Sequence, residues 1–591
     1  MSKRWLRYVA VALLAPLPSR ALAACQIRQF LELPVTMSGP RPIVSASIGG
    51  KDARLILDSG AFFSTLSRAS AQEYGLQLAA APSWFRLRGI NGDASASFAT
   101  VKDFGLAGAT LPRVDFIVGG SDTGTVGLLG QNILGIADVE YDLPHGHVRL
   151  MKADDCAVDS LAYWATGRPY SIVPLVPRQP PFQTHTIGTV TINGVKLKAV
   201  FDTGAGSSIL TLAAAKRAGV TPESPGVEPA GIATGLGSKS ARSWIATFAT
   251  IEIGGEALKH PKIRFGDVTL GQADMLIGAD FFLSHRIYVA NKASKMLITY
   301  EGGPLFGLNP RGAVDPEGKK LDLTDKTPEP TDAEGYSRRA AILSSQGRFE
   351  PAIADLDRAI ALAPAVGRYF GQRAIARLAN GQLLLAAADF DRALQADPGD
   401  ADARIARAGM RLGGRDPKGA AEDLAIVDKA LPPTSDKRLV LGQMLDAAGQ
   451  LDASVGNFDA WLKSHPQDAK RAVALNGRCW VRAQLNRDLD GALDDCNAAL
   501  KQRPGTASYL DSRALVRFRR GELAAALADY DAALKDYVPP KIAPRSAWTL
   551  YARSLVKRRL GDTAGAEADR AAALAAAPGV EERARRMGLS G

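Results

Sequence analysis

The stretch VFDTGAGSSIL, residues 200–210, places an aspartate, a hydroxyl and a glycine directly after an apolar run. The stretch LILDSGA, residues 55–61, repeats this order 144 positions earlier. A carboxylate at the end of a buried strand is costly unless it is paired or hydrogen-bonded. The recurrence therefore predicts a function that Asp58 and Asp202 share.

The segments that precede the two aspartates align without gaps. Residues 43–58 face residues 187–202, and each segment alternates apolar and polar residues on both sides of a two-residue turn. The turns are Gly49-Gly50 and Asn193-Gly194, which are strong signals for β-hairpins. Each aspartate is therefore predicted to end the second strand of a hairpin.

Two later motifs recur in the same order. Leu128-Leu129-Gly130 corresponds to Leu276-Ile277-Gly278 at an offset of 148. Between the aspartates and these motifs, the glycine-rich segments 87–92 and 233–238 correspond at an offset of 146. Short strands with glycine-rich turns indicate all-β lobes. We therefore expect two lobes related by a pseudo-twofold axis, with the two aspartates meeting at their interface.

The residues around the two aspartates suit acid–base chemistry. Two neighbouring carboxylates cannot both ionise easily, so they share one proton. The ionised member can act as general base on a water while the protonated member polarises a peptide carbonyl. A hydroxyl after each aspartate can hydrogen-bond across the interface, and the glycine that follows leaves a backbone N–H unobstructed. These groups are the ones that peptide hydrolysis requires.

The two halves resemble the lobes of an aspartic peptidase, and more closely those of the short retropepsin type. The matching pieces are LILDSGA and VFDTGA, together with the later LLGQNIL and LIGADFF. The resemblance implies an aspartic-type endopeptidase that needs no cofactor and takes a peptide or protein substrate. By this resemblance, the catalytic residues are Asp58 and Asp202, the residues that support this dyad are Ser59, Gly60, Thr203 and Gly204, and the loop-packing glycines are Gly130 and Gly278.

The resemblance also implies flaps that close over the substrate. The first copy departs from retropepsins at Ser59, where threonine is commoner, although serine keeps the hydroxyl. Phe62-Phe63 after this loop either narrow a subsite or fill the core. The candidate flap residues, which would bind substrate, are Gly89, Ile90, Asn91, Gly92, Gly235, Leu236 and Gly237.

The second half of the chain has a helical repeat. Gly347, Ala352, Ala359 and Pro364 recur 34 positions later as Gly381, Ala386, Ala393 and Pro398. This period, with alanines at helix contacts and proline ending the second helix, resembles the tetratricopeptide repeat (TPR). The pattern predicts about seven helical hairpins in a solenoid, whose concave face would bind a protein partner.

The predicted fold class is thus a multidomain chain, with an all-β bilobal acid-protease fold followed by an all-α TPR solenoid. Proline, glycine and charged residues after residue 303 predict an extended linker rather than a packed one. The predicted domains are a signal peptide at 1–24, a first lobe at 25–155, an inter-lobe connection at 156–182, a second lobe at 183–303, a linker at 304–331 and the helical repeats at 332–591.

The N-terminus is typical of a secretory signal peptide. Lys3, Arg4 and Arg7 precede a short apolar run, and the small residues of Ala21-Leu22-Ala23 follow it. This order predicts export to the periplasm or secretion.

The four cysteines fit an oxidising compartment. Cys25 with Cys156, and Cys479 with Cys496, are candidate disulfides. Residues 22–25 alternatively fit the pattern for lipid attachment at Cys25, which would anchor a lipoprotein to the membrane.

Other functions are disfavoured. The net charge of +11 is spread along the chain without an aromatic-interleaved stripe, so the sequence predicts no nucleic-acid partner. His145-Gly146-His147 is interpreted as a turn, and no metal site is predicted. The alternative to an endopeptidase is a non-catalytic adaptor of the cell envelope that captures peptides with its lobes and acts as a scaffold with its repeats.

Overall fold

The fold is all-β in its first half and all-α in its second, which confirms the predicted fold class. The predicted signal peptide lies outside the described residues. No helix in the described part of the chain combines the length and the apolar character needed to cross a membrane. The computed structural model describes residues 25–82, 85, 87–89, 92–94, 96–120, 123–178, 185–233, 241–302, 305–306, 329–345, 347–535 and 543–589.

The first lobe is built from short strands and two short helices. Its helices are α1 (Arg68–Glu73) and α2 (Gln131–Leu134). Its strands are β1 (Gln26–Ser38), β2 (Arg41–Ile48), β3 (Lys51–Leu57), β4 (Thr65–Leu66), β5 (Ala79–Ala80), β6 (Leu87–Gly89), β7 (Gly92–Ala94), β8 (Ala96–Leu106), β9 (Ala109–Gly119), β10 (Gly127–Leu129), β11 (Asp138–Asp142) and β12 (His147–Asp154).

The second lobe repeats this plan with helices α3 (Leu212–Arg217) and α4 (Ala279–Phe282). Strand β13 (Ser171–Pro174) lies in the predicted inter-lobe connection and pairs with the last strand of this lobe. The strands that follow are β14 (Ile187–Ile192), β15 (Val195–Phe201), β16 (Ile209–Thr211), β17 (Glu228–Ala233), β18 (Ala241–Thr247), β19 (Thr250–Ile253), β20 (Glu256–Lys259), β21 (Lys262–Gly266), β22 (Met275–Ile277), β23 (His285–Ala290) and β24 (Lys295–Tyr300).

The two lobes share their hairpins and their strand order around the aspartates. Strands β2 and β3 form one predicted hairpin, and β14 and β15 form the other. Asn193 and Gly194 both have positive φ, as a tight two-residue hairpin turn requires. In each lobe the second hairpin strand then pairs in parallel with the strand of the apolar-apolar-glycine motif, β3 with β10 and β15 with β22.

A sheet that crosses the lobe boundary joins the two halves. Six neighbouring strands of this 13-stranded sheet run in the order β13, β24, β23, β11, β12 and β1, and each half contributes three of them. The boundary is the antiparallel pairing of β11 with β23, where Val139 faces Val289. Cys25 and Cys156 form a disulfide beside the Gln26–Asp154 pair that closes the sheet at β1 and β12. The two lobes that carry the aspartates are thus joined by one continuous sheet.

The linker begins later than the sequence predicts. Leu305 and Phe306, which the prediction places in an extended linker, are buried in the core of the second lobe. The carbonyl of Phe306 accepts a hydrogen bond from Lys262 N–H at 2.9 Å. The prediction is wrong here because two apolar residues in a proline- and glycine-rich window are hidden by the window's average composition.

Fourteen helices pair as seven hairpins in the described part of the second half, and a short helix follows them. Cys479 and Cys496 form a disulfide between the two helices of the fifth hairpin. The helices are α5 (Ala333–Ser345), α6 (Phe349–Leu362), α7 (Gly367–Ala379), α8 (Leu383–Ala396), α9 (Ala401–Gly413), α10 (Pro417–Ala430), α11 (Lys437–Ala447), α12 (Leu451–Ser464), α13 (Arg471–Leu485), α14 (Leu489–Gln502), α15 (Ala507–Arg519), α16 (Leu523–Lys535), α17 (Ala543–Arg559), α18 (Thr563–Ala576) and α19 (Val580–Arg586).

A ladder of arginine–aspartate pairs, which the sequence analysis missed, ties the hairpins together. In the third hairpin, Arg407 on α9 donates two hydrogen bonds to the buried carboxylate of Asp423 on α10. The same guanidinium reaches back to Asp391 in the preceding hairpin at 2.6 Å. The Arg407 guanidinium therefore links α9 to its own partner helix and to the previous repeat. The pairs of the ladder are Arg339–Asp355, Arg373–Asp389, Arg407–Asp423, Arg478–Asp495, Arg513–Asp529 and Arg553–Asp569.

The helical array also touches the first lobe. Helix α5 packs against β1 and against the turn that connects β11 to β12. Farther along, the turn at 464–468 and the lobe residues Ser67, Arg68, Gly119 and Gly120 enclose a cavity of about 10 Å³. The array therefore contacts the protease-like half at more than the linker.

Candidate active site

The two aspartates sit where β3 and β15 end. The backbone N–H of Asp58 donates to Leu129 O at 3.0 Å, and that of Asp202 donates to Ile277 O at 2.8 Å. Both acceptors belong to the strands that pair in parallel with the aspartate strands. Each acid is therefore fixed by its own hairpin and by the apolar-apolar-glycine motif.

The hydroxyls next to the aspartates interlock the two loops. Thr203 Oγ1 donates to Leu57 O at 2.6 Å and accepts from Ser59 N–H at 3.0 Å. In the mirror arrangement, Ser59 Oγ donates to Phe201 O at 2.9 Å and accepts from Thr203 N–H at 3.0 Å. All four bonds are buried and cross the lobe interface, so serine replaces threonine here without losing a contact.

The glycines of the two motifs allow the carboxyl groups to approach. A Cβ at position 60 would lie 2.3 Å from Cγ of Asp202, and a Cβ at position 204 would lie 2.4 Å from Cγ of Asp58. The two carboxyl groups hydrogen-bond to each other. The structure thus brings together the two acids that the sequence singled out.

The electrostatics of the two carboxyl groups favour one proton between them. Burial, and then the neighbouring charge of Asp202, holds the pKa of Asp58 well above its usual range. Burial also raises the pKa of Asp202, but hydrogen bonds from Asp58 and from the N–H groups of Gly204 and Ala205 oppose this rise. We therefore assign the proton to Asp58 and the negative charge to Asp202.

The loop-packing glycines, Gly130 and Gly278, make equivalent contacts in the two lobes. Gly130 N–H donates to Ser64 Oγ, and Gly278 N–H donates to Ser208 Oγ, each at 2.9 Å. The first serine donates to Asn132 Oδ1 and the second donates to Asp280 Oδ1, both at 2.7 Å. An Asn in one lobe thus occupies the position of an Asp in the other.

A buried polar cluster that the sequence analysis missed lies beside the dyad. Gln131 Nε2 donates to Ser59 O at 2.7 Å, and Arg178 donates to Gln131 Oε1 at 3.0 Å. Burial lowers the pKa of Arg178 and raises that of Tyr141, which lies against Gln131 and Ser59. This cluster supports the first aspartate loop from the side of the shared sheet.

His185 is a further neighbour of the dyad that the sequence analysis missed. Its ring hydrogen-bonds to the backbone of Gly60, and burial lowers its pKa while Asp202 opposes that shift. A charge on His185 in turn favours the ionised form of Asp202. Extending the ungapped alignment by two residues sets His185 opposite Arg41, but nothing in that correspondence indicates a contact with the other lobe.

Aromatic side chains line the same part of the first lobe. The ring of Phe62 lies 6.4 Å from that of His185 and 6.5 Å from that of Phe85. Phe98 continues the row at 5.3 Å from Phe85. Because Phe62 is only partly buried, it is better placed to contact a ligand than to fill the core.

The described part of the first flap candidate is a hairpin. Gly89 pairs with Gly92 where β6 meets β7, and Ile90 and Asn91 lie outside the described residues. In the second lobe, Ala233 pairs with Ala241 at the end of the β17–β18 hairpin. The candidates Gly235, Leu236 and Gly237 lie outside the described residues.

The two histidines of the predicted turn at 145–147 each have a carboxylate neighbour. His145 Nδ1 lies 2.5 Å from Asp142 Oδ1, which raises the pKa of His145, and His147 Nδ1 lies 3.0 Å from Glu32 Oε1. The sequence analysis did not foresee these acids, because they come from β1 and β11. Across the described ranges, no group of three or more His, Cys, Asp or Glu side chains could hold a metal ion.

Comparison with known families gives one match in each lobe. Residues 44–133 match the model for aspartyl proteases, and residues 188–284 match the model for gag-polyprotein aspartyl proteases. No curated protein matches the chain significantly. Each match spans the aspartate and the apolar-apolar-glycine motif of its lobe.

Solved structures are similar to the helical half. A tetratricopeptide repeat protein from Parabacteroides merdae has a TM-score of 0.34 at 16% identity, covering 44% of this chain and 98% of its own. YrrB, a TPR protein with an unusual peptide-binding site, has a TM-score of 0.27 at 22% identity, and the match covers 31% of this chain and 92% of YrrB. PilW, a type IV pilus biogenesis factor, has a TM-score of 0.31 at 19% identity, and the match covers 36% of this chain and 94% of PilW. The repeat character itself is evident from first helices that begin every 34–36 residues.

Proposed function

We propose that this chain, which joins two aspartyl-protease lobes to a TPR-type helical array, is an aspartic endopeptidase. The observation that carries the proposal is the mutual contact of the two acids, each lying against the glycine of the opposite motif. An arrangement that only bound peptides would not need two buried carboxyl groups competing for one proton. Such a pair costs stability, and acid–base catalysis explains why it is kept.

In the proposed mechanism, the ionised carboxylate of Asp202 takes a proton from a water held between the acids. The water oxygen attacks the peptide carbonyl carbon, while the protonated carboxyl of Asp58 donates its proton toward the carbonyl oxygen. A tetrahedral diol results. Asp202 then passes the proton it took from water to the amide nitrogen, while the ionised Asp58 takes a proton from a hydroxyl of the diol. The C–N bond breaks as the carbonyl re-forms, and Asp58 is again protonated and Asp202 ionised. The products are a new carboxyl terminus and a new amino terminus.

The geometry around the dyad supports this assignment of roles. The interlocking bonds of Ser59 and Thr203 keep the two loops from separating when the charge moves. The N–H groups that face Asp202 favour its ionised form before substrate binds. Preorganised donors of this kind lower the barrier without a reorganisation cost at the moment of reaction.

We propose that the helical array docks the enzyme to a protein partner or recruits its substrate. The alternative, a non-catalytic adaptor, would use the same array as a scaffold and the lobes for peptide capture. The two proposals differ in whether a peptide is cut.

The deciding experiment is a cleavage assay on denatured casein with single substitutions. Asp58→Asn and Asp202→Asn are expected to lower cleavage by about 1,000-fold or more, because neither variant can hold one proton on two acids. Asp280→Asn is the matched control, since the equivalent position in the first lobe is already Asn132, and it is expected to keep wild-type activity. Cleavage that survives at the wild-type rate in both dyad variants would remove the two acids from the mechanism, and no cleavage by the wild-type protein would support the adaptor.

We also propose that the protein is exported to the periplasm or secreted. The proposal is supported by the basic and apolar N-terminus and by the two disulfides. Non-reducing mass mapping of the protein from its native host is expected to find Cys25 joined to Cys156. An acyl chain on Cys25 would instead establish a lipoprotein.

A further inference from the structure

The concave side of the last hairpins carries a cluster of two tryptophans and two acids. The first helices of successive hairpins contact one another and form the inner layer of the array. Four of them contribute one residue each: Asp446 on α11, Trp480 on α13, Asp511 on α15 and Trp548 on α17. The tryptophan rings meet edge to face with their centroids 5.6 Å apart. We call these four residues the Trp–Asp cluster.

The C-terminal helix α19 places a cation on this cluster. The guanidinium carbon of Arg583 lies 4.8 Å from the centroid of Trp548 and 5.4 Å from that of Trp480. Residues on both sides of Arg583 pack along the same groove, since Val580 and Leu589 belong to the apolar cluster that contains Trp548. A cation over two indole rings is attracted by their π faces. Helix α19 therefore lies in the groove as a bound segment would.

This cis contact leaves part of the cluster unused. Asp511 is only 8% exposed; Thr549 and Trp548 lie beside its carboxyl group, but its Oδ1 has no hydrogen-bond partner among the described residues. The charges of Asp446 and Asp511 act on Arg583, but among the described residues no ion pair within 4.0 Å joins Arg583 to either acid. A buried carboxylate oxygen without a donor is costly, and a donor that reached it would gain a strong charge-assisted bond.

We propose that the Trp–Asp cluster is a binding site for a basic side chain of a partner polypeptide, and that Arg583 occupies this site in cis until the partner displaces it. The partner segment carries an arginine that stacks on Trp480 and Trp548 and reaches the free oxygen of Asp511. The planar fork of arginine suits both contacts better than the point charge of lysine. This proposal specifies the docking role proposed for the array and does not depend on the peptidase activity.

The cis contact would make binding competitive. A tethered segment competes at an effective concentration in the millimolar range, so a partner peptide binds the intact chain weakly. Removing the cis cation is expected to free the site without removing the groove. Binding of the partner would then release α19 from the inner face of the array.

The test uses the full chain and a labelled peptide that copies residues 577–591. All proteins carry Asp202→Asn so that the probe stays intact. With Arg583→Ala added, the peptide is expected to bind about 10-fold or more tightly than with Arg583 present. Arg586→Ala, which removes a neighbouring cation of the same helix, is the matched control and is expected to bind like the parent.

Two further measurements define the site. A peptide with alanine in place of the residue-583 arginine is expected to lose at least about 10-fold in affinity, and so is the Arg583→Ala protein once Asp511→Asn is added. A chain that ends at Ala577 lacks α19 and serves as a second protein with the binding site uncovered. Its melting temperature shows whether the remaining helical array is still folded. Equal binding of the arginine and alanine peptides to both forms would overturn the proposal. That result would leave casein cleavage by the chain with both catalytic aspartates unaffected, so the two proposals fail separately.

Discussion

Gly60 lies directly against the carboxyl group of Asp202, on the opposite lobe. A methyl group at position 60 would stand 2.3 Å from Cγ of that acid and under 2.8 Å from both of its oxygens. The same relationship links Gly204 to Asp58. The spacing of the dyad is therefore set by two residues that have no side chain.

Replacing either glycine is expected to destroy activity. Gly60→Ala and Gly204→Ala each push the opposite carboxyl away, and a displacement of about 1 Å at reacting groups costs roughly 100-fold in rate. The measurement is kcat/KM on a fluorogenic peptide. Gly456→Ala, at a helix position with open space around it, is the control and is expected to have no effect. Full activity in the two dyad-glycine variants would show that the acids need not touch.

The local pattern of the sequence predicts the hairpins, the interlock and the dyad. These features depend on an alternation of a few residues, on turn glycines, and on two triplets that recur at a fixed offset. Even the seven hairpins follow from a period of about 34 residues. In all these cases the information is local or repeated, so one chain is enough to reveal it.

The missed features depend on long-range packing. His185 lies beside Gly60 through a contact between the two lobes, and no local pattern of the sequence encodes that contact. Arg178 beneath the first loop is hidden for the same reason. The contact of Arg583 with Trp480 joins residues two hairpins apart, and the order of the solenoid alone does not place α19 on its inner face.

His185 is expected to set the acid side of the pH–rate profile. A protonated His185 favours ionised Asp202, so its removal raises the pKa of Asp202. In His185→Gln the acid limb of kcat/KM therefore moves to higher pH, while the amide can still donate to Gly60. The control is His260→Asn, which changes an exposed histidine of the same lobe at a residue with positive φ. An acid limb that stays in place would remove His185 from the dyad's electrostatics.

The dyad is expected to reduce stability at neutral pH. The pKa of Asp58 is higher in the folded chain than in the unfolded one, so the folded state binds more protons as pH rises above about 4, and stability falls until the folded pKa is passed. Asp58→Asn removes this loss and is expected to raise the melting temperature at pH 7, by about 2–4 °C per kcal/mol gained. Asp267→Asn, exposed in the second lobe, is the control. A lower melting temperature for Asp58→Asn than for Asp267→Asn would contradict the raised pKa.

The arginine–aspartate ladder is expected to stabilise the array through its buried acids. Asp423→Ala leaves the guanidinium groups of Arg407 and Arg411 without their common buried partner, at a cost of about 3–5 kcal/mol in the free energy of unfolding. Asp391 pairs with the same Arg407, but its side chain is 66% exposed. Asp391→Ala is therefore expected to cost at most about 1 kcal/mol. Urea unfolding monitored by circular dichroism measures both, and equal costs would contradict a role for burial.

The most direct measurement is the pH dependence of kcat/KM for the wild-type protein on a fluorogenic peptide, from about pH 3 to pH 9. A dyad that works with one proton gives a bell-shaped dependence of kcat/KM on pH. Its acid limb reflects protonation of Asp202, at a pKa above the usual value for an aspartate, and its alkaline limb reflects loss of the proton from Asp58. Cleavage that depends on one ionisation only, or no cleavage anywhere in this range, would contradict catalysis by a shared proton.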